Sequence, residues 1–219
     1  RGFDGFERFA IEDEDTFNVQ GCVSPVWDTC LVQLALLESG VAANDSMVVN
    51  SSQWLVDQQI LTGGDWQVRV KDAQPGGWAF EFHNDLYPDI DDSSVVIMAL
   101  DLARLDPEEE TKKAQVIGRG LSWMLALQNK NGGWAAFDRG NTRGYMTQLP
   151  FSDFGESLDP PSADVSAHVL EMLGRMGYSR ADLRVERAYQ YLRQEQEEDG
   201  PWFGRWGVNY IYGTGAVLP

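Results

Sequence analysis

Basic residues, histidines and cysteines are scarce in this chain, and each shortage closes off a class of function. Its 219 residues hold 17 Lys and Arg against 34 Asp and Glu, a formal net charge of −17. Nucleic acids are gripped through Lys and Arg, so no nucleic-acid partner is expected. The 2 cysteines, Cys22 and Cys30, make no disulfide framework. They also lack the partners a zinc site needs, so neither a metal nor another cofactor is expected. Apolar runs fall far short of the roughly 20 residues that cross a membrane, and no charged-then-apolar leader opens the chain at Arg1. What is plentiful is apolar: 43% of residues are hydrophobic, 11% aromatic, with 8 Trp, enough for a sizeable core and too much for disorder.

Three stretches repeat a pattern. Trp54-Leu55, Gln59 and Gly64-Asp65-Trp66 match Trp123-Met124, Gln128 and Gly132-Gly133-Trp134. Both match Tyr191-Leu192, Gln196 and Gly200-Pro201-Trp202. The closing tryptophans are 68 residues apart, twice, a period that suits a helical pair with its loops rather than one helix-turn-helix repeat. Asp28, Asp92 and Asp164 each precede an apolar run, as helix caps do. Those runs predict buried helices, and the more charged stretches at about 47–60, 111–129 and 181–197 predict outer ones. Little alternates with period two, so the expected fold class is all-α, built from helix pairs. The Gln and Trp of the motifs are read as structural fasteners.

Chemistry is suggested by Asp89-Ile90-Asp91-Asp92, three carboxylates at the start of an apolar helix. Crowded anions raise at least one pKa, so one carboxyl can keep its proton near neutrality and act as a general acid. Asp92 is open to a second reading as a helix cap. Asp164 and His168, spaced i,i+4, share a helix face. An imidazolium held by Asp164 and aimed at Asp91 would strengthen that acid. The aromatic residues Trp27, Phe80, Phe137 and Trp206 lie near these helix starts, and aromatic faces stabilise cations without trapping them.

With these residues in place, the sequence resembles the squalene–hopene cyclases, the bacterial class II triterpene cyclases. The resemblance runs over essentially the whole chain. It rests on Asp89 to Asp92, the Gln…Trp motifs, Ser24 to Thr29, Gly76 to Phe80, Asp159 through His168 and Trp202 to Tyr210. It implies an (α/α)6 toroid, of which residues 1–219 form a partial catalytic domain of about three helix pairs. By the resemblance, Asp91 donates the proton to squalene, flanked by Asp89 and Asp92, and His168 backed by Asp164 raises its acidity. Trp27, Phe80, Phe137 and Trp206 face the carbocations, and Phe151, Ser152 and Phe154 form the constriction through which squalene enters. The implied products are hopene or hopanol. The implied setting is the cytoplasmic face of a bacterial membrane, peripherally bound, with a homodimer as the intact enzyme.

Two departures stand out. Ser93-Ser94 replaces the family's usual Thr-Ala, and Phe137 stands where Tyr is usual. The chain is expected to be part of a longer enzyme, and the 219 residues alone to be inactive on squalene. The alternatives are another class II terpene cyclase, for which a diphosphate substrate would call for a Lys/Arg cluster near the cavity, and a non-enzymatic helical-repeat protein with an acidic surface patch.

Overall fold

The computed structural model describes residues 9–20, 22–82, 84–143, 158–207 and 209–219. Among them a short antiparallel hairpin, β1 (Ala10–Glu12) and β2 (Phe17–Val19), precedes the helices. Then follow α1 (Pro25–Glu38), α2 (Ser46–Asp57), a 3-10 turn at Asp65–Val68, α3 (Ile90–Leu102), α4 (Pro107–Ala126), α5 (Ala163–Arg175), α6 (Leu183–Glu195) and α7 (Tyr210–Val217). Successive odd-numbered helices pack side by side, α1 on α3, α3 on α5 and α5 on α7, while α2, α4 and α6 each back the helix before them. This is the two-layered arrangement of an α/α toroid. Helix α3 is its most enclosed member, buried at every position from Ile90 to Leu100.

The outer helices fall where charge patterning placed them. The caps do not. Helix α1 starts at Pro25, whose fixed φ suits the first turn, and Asp28 sits inside the helix, accepting a hydrogen bond from Ser24 Oγ at 2.9 Å. Helix α3 is capped by Asp89, not Asp92. Helix α5 starts at Ala163 behind Ser162, so Asp164 is also one step inside. The reason is electrostatic: the positive end of a helix favours carboxylates throughout its first turn as well as at the cap. A sequence therefore does not distinguish the two places.

The repeated motif is a hydrogen-bonded clasp between units. Gln128 Nε2 donates to Gly132 O at 2.8 Å and to Arg184 O at 2.9 Å, tying the turn after α4 to the start of α6. Gln59 does the same one unit earlier, donating to Gly76 O and Val116 O, each at 2.8 Å. The indole N–H of Trp134 donates to Met124 O, and that of Trp202 to Leu192 O, closing the outer helix ends. The glycine before Trp134 and the one before Trp78 have a physical reason: a Cβ on Gly133 would lie 2.6 Å from the Tyr191 ring, and one on Gly77 would lie 2.5 Å from Trp123. The aromatic residue of each unit thus covers the glycine of the unit before.

This geometry corrects the first repeat. Trp78, not Trp66, donates to Leu55 O, at 2.7 Å, and Gly76-Gly77-Trp78 takes the place of Gly132-Gly133-Trp134. Trp66 packs edge-on against Trp123, ring centroids 5.9 Å apart, and its buried indole N–H has no partner. An insertion containing the 3-10 turn separates Gln59 from its tryptophan, and the even 68-residue spacing arises by coincidence.

The clasp predicts unequal costs. Gln128→Leu removes the donor shared by two carbonyls and is expected to lower unfolding stability by about 1–3 kcal/mol. Gln196→Leu, at an exposed amide with the single local bond to Gly200 O, is expected to change it by less than about 0.5 kcal/mol. Urea unfolding of the 219-residue chain compares the two; equal losses would contradict the clasp.

Candidate active site

The N-terminus of α3 is locked into place by its own backbone and by the next unit. Asp89, in an extended conformation, donates its N–H to Trp78 O at 2.7 Å, and Ile90 N–H donates to Ala136 O at 2.8 Å. Ser93 Oγ donates to Asp89 O at 2.6 Å and accepts from Trp78 N–H at 2.9 Å. Ser94 Oγ donates to Asp91 O at 2.8 Å. The two serines that depart from the usual Thr-Ala therefore spend these hydroxyl bonds on the backbone.

Three carboxyls are thereby fixed in a buried space. Asp89 Oδ1 accepts from Asp91 N–H at 2.7 Å and from Asp92 N–H at 3.3 Å. Even so, burial first and the Asp91 charge second push the Asp89 carboxyl well above the usual carboxylate range. Burial, reinforced by the charges of Asp89 and Asp91, pushes Asp92 up to about 9. One oxygen of Asp92, Oδ1, is buried without a partner, as suits a neutral carboxyl better than a bare anion.

Asp91 has a different neighbour. Its Oδ1 lies 2.6 Å from His168 Nδ1 on α5. Burial alone would lower the imidazole pKa, but the hydrogen bond and charge of Asp91 outweigh it, with Glu171 and Asp164 adding to the pull, and the net shift is upward. The site thus favours an imidazolium against Asp91.

Above the carboxyls lies a cavity of about 330 Å³ walled by Trp27, Phe80, Trp206 and Tyr212 as well as the three aspartates. The His168 ring is 6.3 Å from both Trp27 and Tyr212. Of the aromatic residues expected here, Trp27, Phe80 and Trp206 meet in that wall. Phe137 lies outside this lining, edge-on behind Trp206 with ring centroids 5.7 Å apart. Phe151, Ser152 and Phe154 lie outside the described residues.

Asp164 departs from its expected part. It does not hold His168 by a hydrogen bond; Oδ2 accepts from the backbone N–H of Trp206 at 2.8 Å and Oδ1 from Val165 N–H at 3.0 Å. It reaches His168 as a neighbouring charge. The i,i+4 spacing gave a shared face, but the 204–209 turn offers a backbone donor that no spacing within α5 reveals.

Two residues were missed. Tyr212 lines the cavity, its phenol pushed up by burial and then by the surrounding carboxylate charges. Asp159 gathers the N–H groups of Ala136, Phe137 and Asp138 at 3.3, 2.7 and 2.6 Å and adds its charge to those acting on Asp89. An Asp before Pro-Pro offered a faint signal; Tyr212, on a short terminal helix, offered none.

The fold has relatives of known structure. The apo structure of the type II terpene cyclase MstE from Scytonema superposes with a TM-score of 0.53 at 17% identity, covering 95% of this chain and 51% of that one. That likeness shows a cyclase fold. Residues 23–219 match the squalene-hopene cyclase C-terminal domain, and the chain belongs to that family. The squalene–hopene cyclase of Alicyclobacillus acidocaldarius is 47% identical over all of this chain and 34% of its own length. That of Zymomonas mobilis is 48% identical over 91% of the chain and 30% of its own length. A dammaradiene synthase of Dryopteris crassirhizoma is 45% identical over 97% of the chain and 32% of its own. The chain spans about a third of the length of these curated relatives.

The carboxyl cluster sets a pH dependence. Asp92 ionises in the unfolded chain near its ordinary 3.8 but keeps its proton in the fold up to about 9. The native state therefore binds more protons across that window, and stability falls as pH rises through it. The raised His168 pKa acts in the same sense, adding stability at low pH that is lost as pH climbs past its folded value. Asp92→Asn is expected to flatten the decline and to be more stable than the parent at pH 8. Urea midpoints at pH 5 and pH 8 measure this, and an unchanged slope would count against the assignment.

The Asp164 contact gives a second expectation. Asp164→Asn keeps an oxygen for Trp206 N–H, whereas Asp164→Ala removes it and is expected to cost about 1.5–3 kcal/mol more, as a lost bond to a charged acceptor does. Chemical denaturation ranks the variants, and a change in Trp206 fluorescence confined to Asp164→Ala reports the released turn.

Proposed function

We propose that this chain carries the proton-donating wall of an enzyme that cyclises squalene to pentacyclic hopanoids, with Asp91 as the general acid. The observation that carries the reading is the 2.6 Å contact of His168 with Asp91 beneath an aromatic-walled cavity. An alkene is a very weak base, so its protonation needs a strong acid shielded from water. A cationic imidazole on Oδ1 withdraws charge from the Asp91 carboxyl and so makes it a stronger acid toward the alkene. Asp89 and Asp92, kept neutral by burial, hold further protons beside it.

The steps balance without a cofactor or oxidant. The Asp91 proton adds to a terminal alkene carbon as the π bond breaks, leaving a tertiary cation. Successive alkenes close rings by the same exchange. The last cation loses a proton to give hopene, or takes water and then loses a proton to give hopanol. Trp27, Phe80 and Trp206 offer the cations aromatic faces, and Phe137 buttresses Trp206. The two relatives named squalene–hopene cyclase, at 47% and 48% identity, support this substrate. The dammaradiene synthase, nearly as similar at 45%, shows how closely related cyclase sequences bear different product names. Squalene dissolves in lipid, and the reading extends to an intact enzyme bound peripherally at the cytoplasmic face of a bacterial membrane as a homodimer. Among the described residues no helix is long and apolar enough to cross a membrane.

The test incubates the intact protein with squalene in detergent and analyses the extract by gas chromatography–mass spectrometry. Asp91→Asn is expected to lose at least about 10²-fold of pentacyclic product, the lower range for removing a general acid. Product that survives the substitution would leave the reaction standing and the acid misassigned. No product from squalene, with other prenoids turned over, would transfer the site to a different class II cyclase.

A further inference from the structure

Cations are scarce in this chain, yet one surface gathers them away from the acid cluster. Arg69 follows the 3-10 turn, Asn129, Lys130 and Asn131 form the turn after α4, and Arg139 lies in the loop beyond. These five side chains line an open cavity of about 700 Å³. Arg187, on α6, stands behind the turn and donates Nη2 to Asn129 O and Lys130 O at 3.1 and 2.6 Å, adding a further positive charge. Arg139 is pinned through Nη1 to Ala126 O at 2.9 Å. Among the described residues neither Arg69 nor Lys130 is in an ion pair. Carboxylates stand near this surface as well: Asp138 accepts from Asn141 Nδ2 at 3.0 Å, feels Asp65 and then Arg69 as neighbouring charges, and donates its N–H to Asp159.

The amides turn the same way. Asn129 Oδ1 accepts from Gly140 N–H at 2.7 Å and Asn131 Oδ1 from Gly133 N–H at 3.3 Å. With each oxygen committed to the backbone, each NH₂ is left to donate. Asn129 is only 4% exposed, and its Nδ2 is buried with no partner. A buried donor without an acceptor is costly in a native fold, and this one belongs to a residue lining a cavity with cations around it.

We propose that this cavity binds a phosphate group. Arg69, Lys130 and Arg139 come to the lining from three separate segments, with the amides of Asn129 and Asn131 beside Lys130, and such a set of donors suits the tetrahedral oxygens of a phosphate better than the planar pair of a carboxylate. The phosphate belongs either to the free ion or to a phospholipid headgroup. The site stands apart from the carboxyl cluster and does not depend on the cyclase reading.

The experiment has two arms on the intact protein: calorimetric titration with inorganic phosphate, and co-sedimentation with vesicles of phosphatidylglycerol or of digalactosyldiacylglycerol, which has no phosphate. Arg69→Gln and Lys130→Gln are each expected to weaken binding about fivefold, the fold-change that corresponds to roughly 1 kcal/mol per cation at an anionic surface. Arg180→Gln, at a cation in the turn before α6 paired with Glu186, is the control and is expected to bind as the parent does. Saturable phosphate binding with this pattern establishes a free-phosphate site. Sedimentation with phosphatidylglycerol alone, with the same pattern, establishes a headgroup site. Absence of binding in both arms, unaffected binding by both variants, or an equal loss in Arg180→Gln overturns the proposal.

Discussion

Three carboxyl groups buried at the head of an apolar helix are the constraint to which the rest of this structure answers. Asp89, Asp91 and Asp92 are each at most 7% exposed. Ionising all three there would place like charges within a few ångströms in a medium that screens them poorly. The structure answers in two ways. It keeps Asp89 and Asp92 neutral by burial, and it sets an imidazole against Asp91. Both raise the free energy of the fold at high pH, so the surrounding framework must offset that cost. The backbone clamps on Asp89 and Ile90, the serine hydroxyls and the interunit clasps are where that offset is visible.

Most of the helix order and the acid cluster were legible in the sequence because each leaves a local mark. Apolar runs gave the inner helices, charged faces gave the outer ones, and three Asp in four residues before an apolar run have few bland explanations. What stayed hidden is decided across the fold. Trp66 and Trp78 both come after Gln59 with a glycine one or two residues before them, and the carbonyl of Leu55 tells them apart. Asp92 and Asp89 are equally good caps by composition, and the choice rests on which N–H groups the backbone presents. Asp164 and His168 share a helix face, yet the acid found a better donor in a turn that lies beyond α6 in the chain.

That last mismatch exposes a deeper regularity. Ser93 and Ser166 hold equivalent posts: each accepts from the backbone N–H of a motif tryptophan, Trp78 and Trp134, both at 2.9 Å. Counting back two residues from each serine reaches Asp91 and Asp164, so the two acids occupy the same niche at the heads of α3 and α5. Each reaches forward to the following unit. Asp91 meets the imidazole of His168, and Asp164 meets the backbone N–H of Trp206. A backbone N–H carries no titratable proton, so the contact of Asp164 holds a turn in place, and Asp164 acts on His168 only as a neighbouring charge. An imidazole does carry one, and at the same post the same residue type is coupled to a titratable group. The fold thus repeats one structural device, and the partner alone decides whether it meets a backbone turn or a titratable ring.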